Sequence, residues 1–128
     1  MNQESATPEN ELLRKHCVSC EGETHPLTLE EARALLPKVE GWELAENGLK
    51  ISREWVVKNF AAGIEFFDLV AKLAESEGHH PDLHLEGYRN VRIEIWTHAV
   101  GGLTENDFIL AAKINQIPIK PRTKTMAS

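Results

Sequence analysis

The strongest constraint on the fold is one long amphipathic segment near the middle of the chain. Between Asn59 and Glu77, apolar residues recur at intervals of three and four, which predicts a single α-helix. The positions on this stripe are Phe60, Ile64, Phe67, Val70, Ala71 and Ala74, widened by Phe66, Leu69 and Leu73. Gly78 is predicted to end the helix, because glycine readily adopts the left-handed conformation found after helix C-termini. A chain of 128 residues has room for one core, so this helix is expected to be its main element.

Alternating segments on both sides of this helix predict two β-hairpins. Residues 42–45 and 49–56 flank an Asn-Gly dipeptide, a strong signal for a tight hairpin turn. Residues 82–86 and 91–97 alternate apolar with polar side chains around a second turn. The β-branched residues of the last segment are expected to face the helices.

Shorter helices are predicted at both ends of this pattern. Thr28 and Glu31 have the spacing of a capping box before a helix over 29–36. Thr104 and Asp107 have the same spacing before a helix over 105–116. The order α-β-β-α-β-β-α predicts an α+β fold, with four mainly antiparallel strands in one sheet and three helices packed on one face.

The chain is expected to comprise three regions: a polar leader over 1–25, a domain over 26–117, and a mobile C-terminal tail over 118–128. A net charge of −6 provides no basic surface for nucleic acid. No stretch approaches the ~20 apolar residues that a membrane helix needs, and the N-terminus is polar and acidic where a secretory signal would be apolar. The sequence therefore predicts a cytoplasmic protein that binds neither nucleic acid nor membrane.

Cys17 and Cys20 in the leader form a Cys-x-x-Cys pair. The spacing fits a redox dithiol, half of a zinc site with His16 and His25 nearby, or two incidental thiols. Spacing does not choose among these three interpretations.

Four of the six histidines lie within twenty residues, at positions 79, 80, 84 and 98. Imidazole titrates near neutral pH and also binds metals, so the cluster favours either proton transfer or metal ligation. The alternative is that each is an ordinary surface histidine. His79 and His80 follow the predicted helix end, and His98 is expected to share with Trp96 the strand face opposite the core.

An ordered set of residues resembles the signature of the pterin-4a-carbinolamine dehydratase family. The resemblance extends from about residue 26 to 117, and its defining positions are Glu75, His79, His80, Pro81, Tyr88, His98 and Asp107. It implies a lyase that needs neither metal nor cofactor and removes water from 4a-hydroxytetrahydrobiopterin, giving a quinonoid dihydropterin. It also implies a place in tetrahydrobiopterin recycling, alongside an aromatic amino acid hydroxylase that makes the carbinolamine.

The family's three active-site histidines correspond to His79, His80 and His98. We expect His80 and His98 to form the acid/base pair and His79 to orient the pterin. The supporting residues are expected to be Glu75, Pro81, Tyr88, Trp96 and Asp107. Glu75 could orient an imidazole or be solvated. Asp107 could cap a helix and position the turn before it, or it could touch the substrate.

The resemblance also leaves room for a role without catalysis. One animal branch is a dimerisation cofactor for a homeodomain transcription factor, and a degenerate bacterial branch resembles an assembly factor for Rubisco. An intact histidine signature favours an enzyme over such a binding protein. The resemblance further implies a homodimer or homotetramer.

Overall fold

A computed structural model describes residues 8–18 and 26–122 of the chain. Its helices and strands are α1 (Pro8–Leu13), α2 (Leu29–Leu35), β1 (Glu43–Leu44), β2 (Ile51–Val56), α3 (Phe60–Glu77), β3 (Asp82–Glu86), β4 (Asn90–Ile95) and α4 (Glu105–Ile114). Short 3-10 turns cover Leu36–Lys38 and His98–Val100. From α2 onward the order is the predicted one, and α1 is an additional helix within the segment predicted as a leader.

The four strands form one antiparallel sheet in the order β1-β2-β4-β3, which confirms the predicted α+β architecture. Ile51 of β2 pairs with Ile95 of β4, and Leu83 of β3 pairs with Ile93. The first hairpin turns through Gly48, whose φ of 74° is the left-handed conformation that its Asn-Gly signal predicts.

One face of the sheet is buried against the helices. Val91, Ile93 and Ile95 alternate with more exposed neighbours along β4 and belong to the same core cluster as Phe66 of α3 and Phe108 of α4. This confirms the prediction that the β-branched row meets the helices. Within residues 8–18 and 26–122, no helix is long and apolar enough to cross a membrane.

Helix α3 begins and ends with the local signals expected of its sequence. The Asn59 side chain accepts a hydrogen bond from the Ala62 N–H at 2.8 Å, and Gly78 ends the helix with a φ of 65°. Because Gly78 turns the chain within one residue, the histidines that follow lie directly at the junction between α3 and β3.

The buried face of α3 differs from prediction near its N-terminus. Phe60 and Ile64 are about half exposed, whereas Ala62 and Gly63 are buried. A Cβ added at Gly63 would lie 3.1 Å from the Leu85 side chain, so only small residues allow the helix to approach the sheet this closely. The first turn therefore directs its small residues inward and its large ones outward.

Both predicted outer regions have parts that pack on the domain. Leu12 of α1 is buried in the core, so the segment predicted as a leader contributes to it. Residues 118–122 differ from the tail expected there, because the Lys58 N–H donates to the Lys120 carbonyl and the Arg122 N–H to the Val56 carbonyl. Residues 123–128 lie outside the described residues.

Candidate active site

The junction between α3 and β3 forms one wall of a pocket of about 550 Å³. Five of the predicted site residues line it, namely His79, His80, Pro81, Trp96 and His98. The first three come from the junction, and the other two follow the end of β4. Because β3 and β4 are antiparallel neighbours, the start of one lies beside the end of the other.

His79 is held by a buried carboxylate. Its Nε2 lies 2.6 Å from Asp107 Oδ1, and Asp107 is fully buried while the His79 side chain is 11% exposed. Asp107 Oδ2 accepts hydrogen bonds from the Thr97 hydroxyl and the Thr104 N–H, both at 2.8 Å. A carboxylate only accepts, so His79 donates through Nε2 and its Nδ1 is left for another partner.

Asp107 therefore makes the predicted capping contact together with a contact that the sequence did not indicate. It caps α4 in the predicted capping box with Thr104, and it also binds the imidazole of His79. Thr97, to which prediction gave no role, adds a third contact by donating its hydroxyl to the same carboxylate.

His80 is held by a carboxylate on the solvent side. Its Nε2 lies 3.1 Å from Glu75 Oε2, across the Gly78 turn. The side chains are 61% and 77% exposed, so water competes for this hydrogen bond. The contact is the one expected if Glu75 orients an imidazole.

His98 is positioned by stacking. Its ring centre lies 3.9 Å from that of Trp96, with 22° between the planes. Strand β4 ends at Ile95 and His98 begins a 3-10 turn, so the strand alternation proposed for these two residues stops short of His98. Trp96 and His98 lie on the same side because of this turn and because their rings are in contact.

Tyr88 is a predicted site residue that does not line the pocket. It is exposed in the turn between β3 and β4, at the far end of β3 from Pro81, and the Arg89 guanidinium lies over its ring. The five residues of β3 separate Tyr88 from the junction, and its role in shaping the site stays a prediction.

His84 lies outside the pocket lining, which agrees with its omission from the predicted site. Its Nε2 is 3.3 Å from Glu94 Oε1 on the sheet face away from the core. Thus His79, His80 and His84 each contact a different carboxylate. Within 8–18 and 26–122, no three His, Cys, Asp or Glu residues are grouped so that they could hold a metal ion.

Val18 and Asn106 are among the pocket-lining residues that the sequence did not single out. They are 88 positions apart and joined by hydrogen bonds. No local pattern could have predicted this pairing.

Cys17 directly precedes Val18 in the sequence and is half buried. Its Sγ is 3.5 Å from the Asn106 carbonyl oxygen. Burial, with the nearby Glu77 carboxylate, raises the pKa of the Cys17 thiol to about 12, so the thiol stays protonated at neutral pH. A redox dithiol usually has the opposite property, a lowered pKa. Cys20 and His25 lie outside the described residues.

The histidine-lined pocket lies within a segment that matches a known family. The model of the family described as pterin 4 alpha carbinolamine dehydratase matches residues 25–117. The chain belongs to this family. The match includes every residue predicted for the site.

Two relatives within the pterin carbinolamine dehydratase family come from Arabidopsis thaliana. Pterin-4-alpha-carbinolamine dehydratase 2, mitochondrial, is 57% identical over 113 residues, which are 86% of this chain and 60% of that protein. A chloroplastic relative is 42% identical over 122 residues, 91% of this chain and 56% of its own length. The chain thus spans less than two thirds of either plant relative.

A solved structure supports the same family fold. The crystal structure described as transcriptional coactivator/pterin dehydratase from Brucella melitensis superposes with a TM-score of 0.65 and 31% sequence identity. The superposition covers 71% of this chain and 96% of the Brucella chain. The α+β fold is therefore that of a pterin dehydratase.

Proposed function

We propose that this chain is a hydro-lyase that dehydrates 4a-hydroxytetrahydrobiopterin to a quinonoid dihydropterin and water. The observation that carries the proposal is the meeting of His79, His80 and His98 in one pocket of a pterin dehydratase fold. Hydroxide is a poor leaving group, so an acid must protonate it while the N5 lone pair forms the new double bond. A base must then take a ring proton to leave the neutral product.

The burial of His79 supports its role in orienting the substrate. An imidazole held at 2.6 Å by a fully buried carboxylate keeps its ring plane and tautomer. Its free Nδ1 can accept a hydrogen bond from a pterin N–H. A group held in this way positions a substrate without having to exchange protons with water.

The exposure of His80 and His98 supports their role as the acid/base pair. Both imidazoles are exposed and line the pocket, so each can reach substrate and recover its protonation state from water. Glu75 orients His80, and the Trp96 ring orients His98.

The experiment that tests the proposal is dehydration of enzymatically generated 4a-hydroxytetrahydropterin, followed by its ultraviolet change. The wild-type protein accelerates the reaction, and His80→Ala and His98→Ala each lower kcat about 100-fold or more, the usual share of one acid/base group. Both variants keep the wild-type circular dichroism spectrum, because neither side chain is buried.

His84→Ala is the matched control, since His84 lies close in sequence but outside the pocket lining. It keeps wild-type activity. Wild-type turnover in His80→Ala and His98→Ala would refute the acid/base assignment. Activity that is lost on exhaustive chelation and restored by one metal would favour the metal hypothesis instead.

The alternative role is that of a protein-binding or dimerisation cofactor, favoured by the word coactivator in the description of the Brucella structure. The dehydration assay distinguishes this binding role from catalysis. If a folded sample gives no acceleration at all, the binding role becomes the leading hypothesis.

The cellular setting belongs to the same proposal. A role in tetrahydrobiopterin recycling requires an aromatic amino acid hydroxylase in the same compartment. The names of the two plant relatives place those proteins in mitochondria and chloroplasts, so a cytoplasmic location for this chain stays a prediction. Imaging of the tagged protein together with the hydroxylase tests both points.

We also propose that the chain forms a homodimer or homotetramer. The half-exposed Phe60 and Ile64 form an apolar patch on α3, and β3 lies at an edge of the sheet. Edge strands and apolar helix faces are both surfaces that a second copy can cover. Light scattering at micromolar concentration measures the assembly mass directly.

A further inference from the structure

Residues 14–18, here called the strap, connect α1 to the edge of the pocket. Contacts of Lys15, Cys17 and Val18 attach the strap to the domain. Lys15 Nζ contacts Glu105 at 2.6 Å, the Cys17 N–H donates to Glu77 Oε1 at 2.8 Å, and Val18 pairs with Asn106. The first contact is exposed, whereas the other two use side chains that are buried.

Two hydrogen bonds with the Asn106 side chain fix the backbone of Val18, one through its N–H and one through its carbonyl. The Val18 N–H donates to Asn106 Oδ1 at 3.0 Å, and Asn106 Nδ2 donates to the Val18 carbonyl at 2.7 Å. The Asn106 side chain therefore binds the strap as a neighbouring strand would. Asn106 is buried on α4 directly before Asp107, so one turn of this helix supports both the strap and His79.

The Val18 side chain is 70% exposed although its backbone is held. It lines the same pocket as His79, His80 and His98. A single exposed valine is ordinary on a protein surface. Val18 differs because its backbone is already fixed beside the imidazoles in the free protein. Little conformational entropy is therefore lost when a ligand binds.

We propose that Val18 is a specificity-determining residue that contacts the substituent on C6 of the pterin ring, and that Asn106 is its positioning residue. The inference rests on the proposed function. Val18 can neither donate nor accept a proton, so its contact is equally strong in the ground state and the transition state. Such a contact changes KM and leaves kcat unchanged.

The test compares two carbinolamine substrates, made from tetrahydropterin with and without a methyl group on C6. Val18→Ala raises the KM of the methylated substrate about fivefold, as expected for the loss of one or two methylene-sized contacts. The KM of the unsubstituted substrate stays within about twofold, and kcat is unchanged for both. An equal KM ratio for the two substrates in wild type and Val18→Ala would overturn the inference.

Asn106→Ala tests the positioning role. It raises the KM of the methylated substrate to the same extent as Val18→Ala and leaves kcat unchanged. The double variant shows no further increase, because Asn106 acts through Val18. Additive effects on KM would show that Asn106 does not act through Val18.

Glu105→Ala is the matched control, since it removes the exposed contact with Lys15. It leaves both KM values unchanged. A wild-type protein without dehydratase activity would refute the proposed function, and the inference would then be tested by binding alone. Quenching of tryptophan fluorescence by 6-methyl-7,8-dihydropterin measures Kd, and a Kd unchanged by Val18→Ala overturns the inference.

Discussion

The junction that follows α3 has an inward side, formed by Glu77 and His79, and an outward side, formed by Glu75 and His80. Each side has one carboxylate and one imidazole. The inward side chains are 6% and 11% exposed, and the outward ones are 77% and 61% exposed. Residues of the same type, one or two positions apart, thus lie in different environments. The inward side is enclosed by the fold, while the outward side is open to solvent.

The largest difference in stability between the two sides is expected when Asp107, the carboxylate that binds His79, is replaced. Asp107→Ala leaves the His79 imidazole, the Thr97 hydroxyl and the Thr104 N–H without their shared acceptor. The free energy of unfolding falls by about 4 kcal/mol, since each buried group that loses its partner contributes. Urea denaturation measures this loss of unfolding free energy.

Glu75→Ala is the matched control on the outward side and changes the free energy of unfolding by less than about 0.5 kcal/mol. If Asp107→Ala and Glu75→Ala lowered the free energy of unfolding equally, the distinction between the two sides would be wrong.

The second difference is the pH dependence that Glu77 gives to the stability of the inward side. Burial alone would raise the pKa of Glu77, but hydrogen bonds from Lys113 and the Cys17 N–H lower it from 4.5 to about 2. Because the folded pKa lies below the unfolded one, the contribution to stability is complete above pH 4.5 and is lost as the pH falls toward 2. It amounts to about 3 kcal/mol.

Urea denaturation across this pH range measures the effect as the difference between wild type and Glu77→Gln. The variant lacks this part of the acid sensitivity, whereas Glu75→Gln retains it. A wild-type acid dependence in Glu77→Gln would contradict the prediction.

The smallest difference concerns catalysis on the outward side. Glu75→Ala lowers kcat about fivefold, because the hydrogen bond that orients His80 is exposed and correspondingly weak. Glu75→Gln keeps an oxygen acceptor and recovers most of kcat. Steady-state dehydration kinetics measure both variants, with Asp68→Asn on the same helix as a control that keeps wild-type kcat. A change in KM with constant kcat would mean that Glu75 contacts the substrate instead.

Prediction from the sequence succeeded where a signal is local. The capping boxes at Thr28 and Thr104, the Asn-Gly turn and the end of α3 at Gly78 are all present. Each rests on hydrogen bonds or backbone angles within about four residues, so neighbouring residues contain the whole signal. The alternation along β4 predicted its buried face for the same reason.

Prediction failed where contacts join distant parts of the chain. The periodicity of α3 did not reveal that Gly63 approaches Leu85, and this approach turns Phe60 and Ile64 outward. Helical or strand period alone does not specify which neighbour an element meets.

The sequence by itself determined the order of the elements, the α+β class and the set of histidines at the end of α3, since these follow from local spacing and residue type. Only the tertiary structure decided that Asp107 binds His79, that Glu75 binds His80 on the outer side, and that Val18 is attached to Asn106 beside the pocket. The physical reason is that burial and long-range hydrogen bonds depend on how the elements pack together, and packing assigns different environments to identical side chains.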